Sequence, residues 1–238
     1  MTVTYDYAGK VVLVTGGTRG IGAGIATAFR DAGADVIVCG RRPADVPGFV
    51  QADVRDPDDV DRLVGGLERL DVVVNNAGGS PYAPVAGTSP RLHARVIELN
   101  LIAPLLVAQR AHPLLAAARG SIIMIGSSSG ARPSPGTSAY GAAKAGLHHL
   151  AACLAAEWAP DVRVNTVVVG LAEAPGHYGG ATVESTIPFG RLASPADVAS
   201  VCLWLASPGY VTGAQVAVHG GGEVPAWRYL TGQESLAP

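Results

Sequence analysis

Short apolar runs rich in Val and Ile alternate along the chain with longer segments that suit helices. The runs Lys10–Thr15, Asp35–Cys39, Phe49–Gln51, Asp71–Asn75, Ser121–Gly126, Val162–Val168 and Gln215–Val218 predict strands. Several are apolar throughout, the pattern of strands buried on both faces of a parallel sheet. Between them, Ile21–Ala32, Pro57–Leu67, Arg91–Ala118, Ser138–Trp158 and Pro195–Ala206 predict helices, with Asp58, Ser89, Ser138 and Ser194 at or near their N-termini. This alternation builds βαβ units, so the expected class is α/β with a doubly wound, seven-stranded, mainly parallel sheet and helices on both faces. No repeat, low-complexity tract or linker interrupts it, and one domain spanning 1–238 is expected. Within it, the weakly periodic segment 171–189 reads as a substrate lid at the C-terminal edge of the sheet, and 223–238 as a tail.

Composition narrows the function classes. Hydrophobic residues make up 48% and charged residues 15%, against about 25% charged in an average soluble domain, which excludes a disordered chain. The net charge of −2 provides no basic stripe to neutralise phosphates, so nucleic acid is not an expected partner. Cys39, Cys153 and Cys202 are far apart and form no Cys-x-x-Cys pair, which argues against disulfides and zinc and fits a reducing compartment. The N-terminus lacks the pattern of a signal peptide. The most apolar stretch, Leu99 to Gln109, is broken by Asn100 and Pro104 and falls short of the ~18 residues of a membrane span. A soluble, cytoplasmic protein is expected, with no membrane partner.

The first strand runs directly into Thr15-Gly-Gly-Thr-Arg-Gly-Ile-Gly22 and then a helix. Such a tight turn needs unusual dihedrals, and a missing Cβ lets a pyrophosphate approach the backbone. The helix beyond Gly20 offers free N–H groups and a positive dipole end. Gly16, Thr18, Arg19, Gly20, Ile21 and Gly22 are therefore candidate nucleotide-binding residues. The second strand ends in Gly40-Arg41-Arg42, where an NAD-selective fold places an acid for the ribose 2′-hydroxyl. Arg41 and Arg42 instead suit a 2′-phosphate, which Arg19 could also reach. NADPH or NADP+ is the expected cofactor, ahead of NADH or NAD+. Asp53, followed by Val54, is placed to hold the adenine amino group.

A second constellation lies further on. Tyr140 and Lys144 are i and i+4 on one predicted helix and share a face. A free tyrosine titrates near ~10, and a nearby ammonium brings it toward the working range of an acid–base catalyst. Only two lysines, Lys10 and Lys144, stand beside fifteen arginines, and one of them is here. Ser127 lies 13 residues before the tyrosine.

Thr15–Gly22, Asn75-Asn-Ala-Gly78, Asn100, Ser127, Tyr140-Gly-Ala-Ala-Lys144 and Val162-Arg-Val-Asn165 follow one another in the order and spacing of the single-domain short-chain dehydrogenase/reductases. The chain resembles that superfamily from about Gly9 to Gly222, and within it the 3-oxoacyl-carrier-protein reductase-like ketoreductases. The resemblance implies a Rossmann-type fold and an enzyme that reduces a ketone or aldehyde reversibly, with Tyr140 as proton donor. Ser127 would hydrogen-bond the substrate oxygen, Tyr140 and Lys144 would also bind the cofactor, Lys144 at the nicotinamide ribose, and Asn100 would hold a relay water. Asn76, Ala77, Gly78 and Gly170 would line the cofactor cleft, with Asn75 bracing the sheet. Relatives of this kind imply a homotetramer, or else a dimer, and the apolar character of the fourth- and fifth-strand helices on more than one face agrees.

Two positions depart from the family pattern. Val169-Gly170 replaces Pro-Gly after the sixth strand, and Ala174 stands where a Thr commonly bonds the nicotinamide carboxamide. Thr182 is a candidate substitute. His148 and His149 lie ~100° apart around their helix, unsuited to a shared metal, and read as core or interface residues; no metal site is expected. His177 and Tyr178 are candidates for substrate contact, His219 for local structure, Trp158 and Trp204 for packing, and Trp227 and Tyr229 for an interface. The segment 171–189 contains Glu173 and Glu184 but no lysine or arginine, which favours a neutral or apolar ketone, with acyl thioesters still open. Two alternatives stand beside the reductase: a cofactor-binding regulatory or scaffold protein on the same fold, and an epimerase or dehydratase of the extended branch, which would carry a longer C-terminal domain.

Overall fold

The computed structural model of the chain describes residues 3–173 and 181–222. Ala174, His177, Tyr178, Trp227 and Tyr229 lie outside the described residues, as does the side chain of Thr182. Strands β1 (Val11–Thr15), β2 (Asp35–Gly40), β3 (Phe49–Gln51), β4 (Val72–Asn75), β5 (Ser121–Ser127), β6 (Arg163–Val169) and β7 (Gln215–Val218) form one sheet in the order β3-β2-β1-β4-β5-β6-β7. Every pairing is parallel. The winding reverses between β1 and β4, which opens a crevice at the C-terminal ends of these strands where doubly wound folds bind ligands.

Helices α1 (Gly20–Asp31) and α7 (Pro195–Ala206) cover one face of the sheet, and α2 (Pro57–Gly65), α4 (Ala103–Ala118) and α5 (Ser138–Trp158) cover the other; a single turn, α6 (Ala181–Glu184), precedes α7 in the chain. Alternate residues of β1 serve the two layers: Leu13 packs toward α4 and α5, Val12 and Val14 toward α1 and α7. The α1–α7 contact is close enough that a Cβ on Gly24 would lie 2.4 Å from Pro195 Cβ. Ser194 and Asp197 begin α7 with a capping box, which satisfies two N–H groups left over at the helix start. At its other end, the Arg163 guanidinium donates to the carbonyls of Leu205, Ala206, Ser207 and Val211 and so ties β6 to the helix terminus.

The region expected as one helix over Arg91–Ala118 is instead α3 (Pro90–Ile97), a π-helical turn (Glu98–Ile102) and α4. The turn falls where Asn100 points inward and donates from Nδ2 to Val96 O at 2.8 Å. Together the three segments make a continuous helical run of 29 residues, Pro90–Ala118, long and apolar enough by itself to cross a membrane, whereas the sequence reading excluded such a run. Here Ala103, Val107, Ala108, Ala111 and Leu115 of the run are packed into the core. Trp158 packs as expected, against the core and 4.5 Å from the His112 ring. Trp204, also expected to pack, is 45% exposed, because α7 turns it away from the sheet.

At the opposite edge from the crevice, Asp71 receives the N–H of Val11, a fork from Arg69 and the ammonium of Lys10. Burial pushes its carboxyl up, but these donors outweigh it and hold the group at about 2. A carboxyl that titrates lower in the folded chain contributes stability above the unfolded value near ~3.9 and loses it as pH falls through the folded one. Asp71→Asn is expected to be less stable than the wild type at pH 7 and to lose stability less steeply between pH 4 and 2. Urea unfolding across that range reads this, and parallel curves for the two proteins would refute the role assigned to Asp71.

Candidate active site

Thr15, the last residue of β1, organises the crevice. Its Oγ1 donates to Val74 O at 3.4 Å and accepts the N–H groups of Asn76 and Ala77, both at 3.0 Å. Asn76 returns the contact, donating from Nδ2 to Thr15 O at 2.9 Å and Gly16 O at 3.1 Å. Its amide hydrogens are thus used to lace β1 to β4. The glycine turn fits this lacing: a Cβ on Gly22 would lie 2.4 Å from both Asn76 Nδ2 and Gly16 O. Gly20 has open space but a φ of +54°, which disfavours a Cβ for backbone reasons. Arg19 caps α1 without a side-chain bond, and no acid occupies the first turn. The first N–H groups of α1 therefore face a cradle suited to a pyrophosphate.

On the adenosine side, the Thr18 side chain lies over Gly40, 3.5 Å from where a Cβ there would stand. Arg19, Arg41 and Arg42 are exposed, and their guanidinium groups make no hydrogen bond or ion pair among the described residues. Asp53 is held in a fork by Arg55, with Nε–Oδ1 at 2.9 Å and Nη2–Oδ2 at 2.5 Å. That fork, aided by the charge on Arg41, keeps the Asp53 carboxyl below the usual range. Oδ1 also accepts the Arg55 N–H at 3.2 Å, which leaves Oδ2 with a lone pair for a further donor. The Val54 side chain is buried in the core, so a cofactor contact from Val54 would have to come from its backbone. The part played by Arg55 was absent from the sequence reading.

The second constellation is assembled from four elements. Lys144, 3% exposed, donates from Nζ to Ile125 O at 2.8 Å and lies 5.7 Å from the centroid of the half-buried Tyr140 ring. Burial pushes its ammonium down to about 8. Ser127 ends β5, buried, and its Oγ accepts the N–H of Ser129 at 3.2 Å as a 3-10 turn (Ser128–Gly130) begins. That turn lies on the Tyr140–Lys144 stretch: a Cβ on Gly130 would be 2.7 Å from Ala145 N, and one on Gly141 2.8 Å from Ser129 O. Asn100, fully buried, exchanges hydrogen bonds with Gly79, Nδ2 to O and Oδ1 from N, both at 2.9 Å. A Cβ on Gly78 would lie 2.7 Å from Asn100 Oδ1 and 3.4 Å from Lys144 Nζ, so the loop after β4 crosses directly over both. Asn75 faces away, donating to Pro104 O and Met124 Sδ.

Sequence reasoning left out one neighbour of this cluster. The Ser127 N–H donates to Nε2 of His148, 3.3 Å away and buried. The signal available was the pair of glycines, Gly126 and Gly130, around Ser127, since both would collide with the imidazole if they carried a Cβ.

Beyond β6, Gly170 passes so close to β7 that a Cβ would lie 2.6 Å from His219 Cβ, which gives this glycine a packing reason as well. The described ends of 171–189 are pinned by Ala193 N to Leu171 O at 3.0 Å and Phe189 N to Gly220 O at 3.0 Å. A cavity of about 380 Å³ opens beside Ser128, with Ala131, Val168, Leu171, Ile187 and Ala217 among its walls. Arg132, from the loop after β5, also lines it, a cation that the composition of 171–189 gave no reason to expect.

Sheet, glycine cradle and the pairing of buried Lys144 with half-buried Tyr140 together define a dinucleotide-dependent oxidoreductase. A family profile described as enoyl-(acyl carrier protein) reductase matches residues 16–223. Protein FixR of Bradyrhizobium diazoefficiens is 36% identical over 239 residues, covering 89% of this chain and 86% of FixR. L-fucose dehydrogenase of Bos taurus is 36% identical over 251 residues, covering 94% of this chain and 93% of that enzyme. A solved structure assigned as a betaketoacyl-ACP reductase superposes with a TM-score of 0.84 at 34% identity, covering 91% of this chain and 98% of the other. The chain belongs to the short-chain dehydrogenase/reductase family and is an NAD(P)-dependent enzyme of it.

The two bonds from Asn76 to the turn make a measurable claim. At about 0.5–1.5 kcal/mol each, their loss in Asn76→Ala, transmitted in full to the cradle, corresponds to about five- to 150-fold weaker nucleotide binding. Fluorescence titration with NADPH measures it, and an unchanged Kd would contradict the lacing role.

Proposed function

We propose that this protein is an NADPH-preferring carbonyl reductase, reversible as an alcohol dehydrogenase, with Asn100, Ser127, Tyr140 and Lys144 as its functional tetrad. One observation carries the reading: a buried lysine ammonium held by Ile125 O beneath the Tyr140 ring, with the Ser127 turn packed on the same stretch of helix. A bound nicotinamide supplies the hydride, or accepts it in the reverse direction. Tyr140 delivers the proton to the substrate oxygen, because the neighbouring Lys144 charge favours its phenolate. The Ser127 hydroxyl, anchored by Ser129 N–H, donates to that oxygen and stabilises its growing charge. Asn100 holds the Gly78–Gly79 loop over Lys144 through its amide, which leaves a relay water to its other acceptor capacity.

Gly40 in place of an acid, followed by the exposed Arg41 and Arg42 and with Arg19 exposed in the glycine turn, supports NADPH over NADH. The apolar walls near Ser128 support a ketone with an apolar body. Exposed apolar side chains at Ile97, Ile102, Trp204 and Tyr210 support self-assembly, for which the homotetramer of the family is the reading here.

The test is nucleotide oxidation over a panel of neutral ketones, aldehydes and acyl thioesters, with NADPH and NADH in parallel. Tyr140→Phe is expected to lower kcat by about 10²–10⁴ and to leave the NADPH Kd within about twofold, since the hydroxyl acts on substrate. Replacing Arg41 and Arg42 together by Ala is expected to reduce the NADPH preference at least about tenfold. Firm NADPH binding without turnover on any substrate would favour the scaffold reading instead.

A further inference from the structure

His148 sits on α5 one turn beyond Lys144, but its ring leaves the helix toward β5 and β6 and is 5% exposed. Its slot is made by missing side chains. A Cβ on Gly126 would lie 2.4 Å from Nε2 and 2.8 Å from Thr166 Cγ2, and one on Gly130 would lie 2.9 Å from Cε1. The two glycines therefore flank Ser127 so that an imidazole can reach the strand end. There Nε2 accepts the Ser127 N–H at 3.3 Å, giving a buried donor its partner. An accepting Nε2 requires a neutral ring with its proton on Nδ1.

We propose that His148 is a positioning residue for Ser127: its neutral ring fixes the backbone that carries the reactive hydroxyl, and its protonation releases that backbone. The inference rests on the reductase reading for the role of Ser127, but not for the bond itself. Protonation would turn Nε2 into a donor facing the Ser127 N–H, and no hydrogen bond survives between two donors. The groups around the ring come from β5 (Gly126, Ser127), β6 (Thr166), the turn (Gly130) and α5 itself. Among the described residues, Lys144 is the one charged group that acts on the ring, and burial followed by the Lys144 charge holds the imidazole below its ordinary value. The loss of positioning is therefore expected on the acid side of the ordinary histidine range. Because Ser127 Oγ is itself tied to Ser129 N–H, a shift of the Ser127 backbone carries the hydroxyl and its turn together.

The experiment compares full-length wild type, His148→Leu and His148→Gln by pH profiles of kcat and KM, and follows the Ser127 amide by NMR across the same pH range. The wild type is expected to lose kcat toward acid pH, and its Ser127 amide shift is expected to titrate with the imidazole. His148→Leu, which lacks the acceptor, should lose about two- to tenfold in kcat at neutral pH, with KM and NADPH Kd unchanged and no acid limb. His148→Gln places an amide oxygen at the same reach, and should recover most of kcat without the acid limb. A wild-type acid limb kept in both variants would overturn the proposal. So would an equal loss in both variants with weakened NADPH binding, which is the mark of a merely structural histidine. A Ser127 amide that titrates with His148 in a protein that turns over no substrate would leave the positioning bond intact and remove the reductase reading instead.

Discussion

A lysine ammonium taken out of water must be met by polar partners or it destabilises the fold by several kcal/mol. The rest of the site follows from how Lys144 is met. Its charge reaches Ile125 O at the edge of β5, which requires α5 to lie tightly on the strand end. That closeness leaves no space for side chains at Gly130 and Gly141, and the loop after β4 must likewise be glycine where it passes Asn100 and Lys144. The same burial that makes the ammonium costly lowers its proton affinity to about 8, close to the range in which its charge can act on Tyr140.

The crevice is shaped by backbone lacing more than by side chains that wait for ligand. Asn76 and Thr15 use their polar atoms on each other's strands, and Asn100 uses its amide on Gly79. Each of these bonds fixes a loop that would otherwise move at the C-terminal edge of the sheet. A site assembled from β1, β4, β5, α5 and the π-helical turn before α4 can then hold its groups in a constant geometry, as transfer chemistry demands. In contrast, Arg19, Arg41 and Arg42 are exposed and their guanidinium groups make no hydrogen bond or ion pair among the described residues, which suits a group that arrives from solvent with its own charge.

Most of the strand and helix pattern was legible because burial on both faces of a parallel sheet leaves continuous apolar runs. All seven strands lie where those runs predict, within a residue or two. The break at Asn100 was not legible, since a π-helical turn depends on a side chain bonding to a loop 21 residues away in sequence. Nor was the exposure of Trp204, which a helical pattern without a strong polar face leaves undecided.

By itself, the sequence determined the class of fold, the nucleotide cradle and the Tyr140–Lys144 pair, because each depends on neighbours within a few residues. Spacing along a strand, a turn or one helix face is local geometry, and composition could even single out Lys144 as one of two lysines. Only the tertiary structure decided that Arg132 lines the cavity and that His148 holds the Ser127 N–H. The last of these joins residues 21 apart through a slot cut by two glycines. A contact between distant segments is set by how layers pack, and no period along the chain records it.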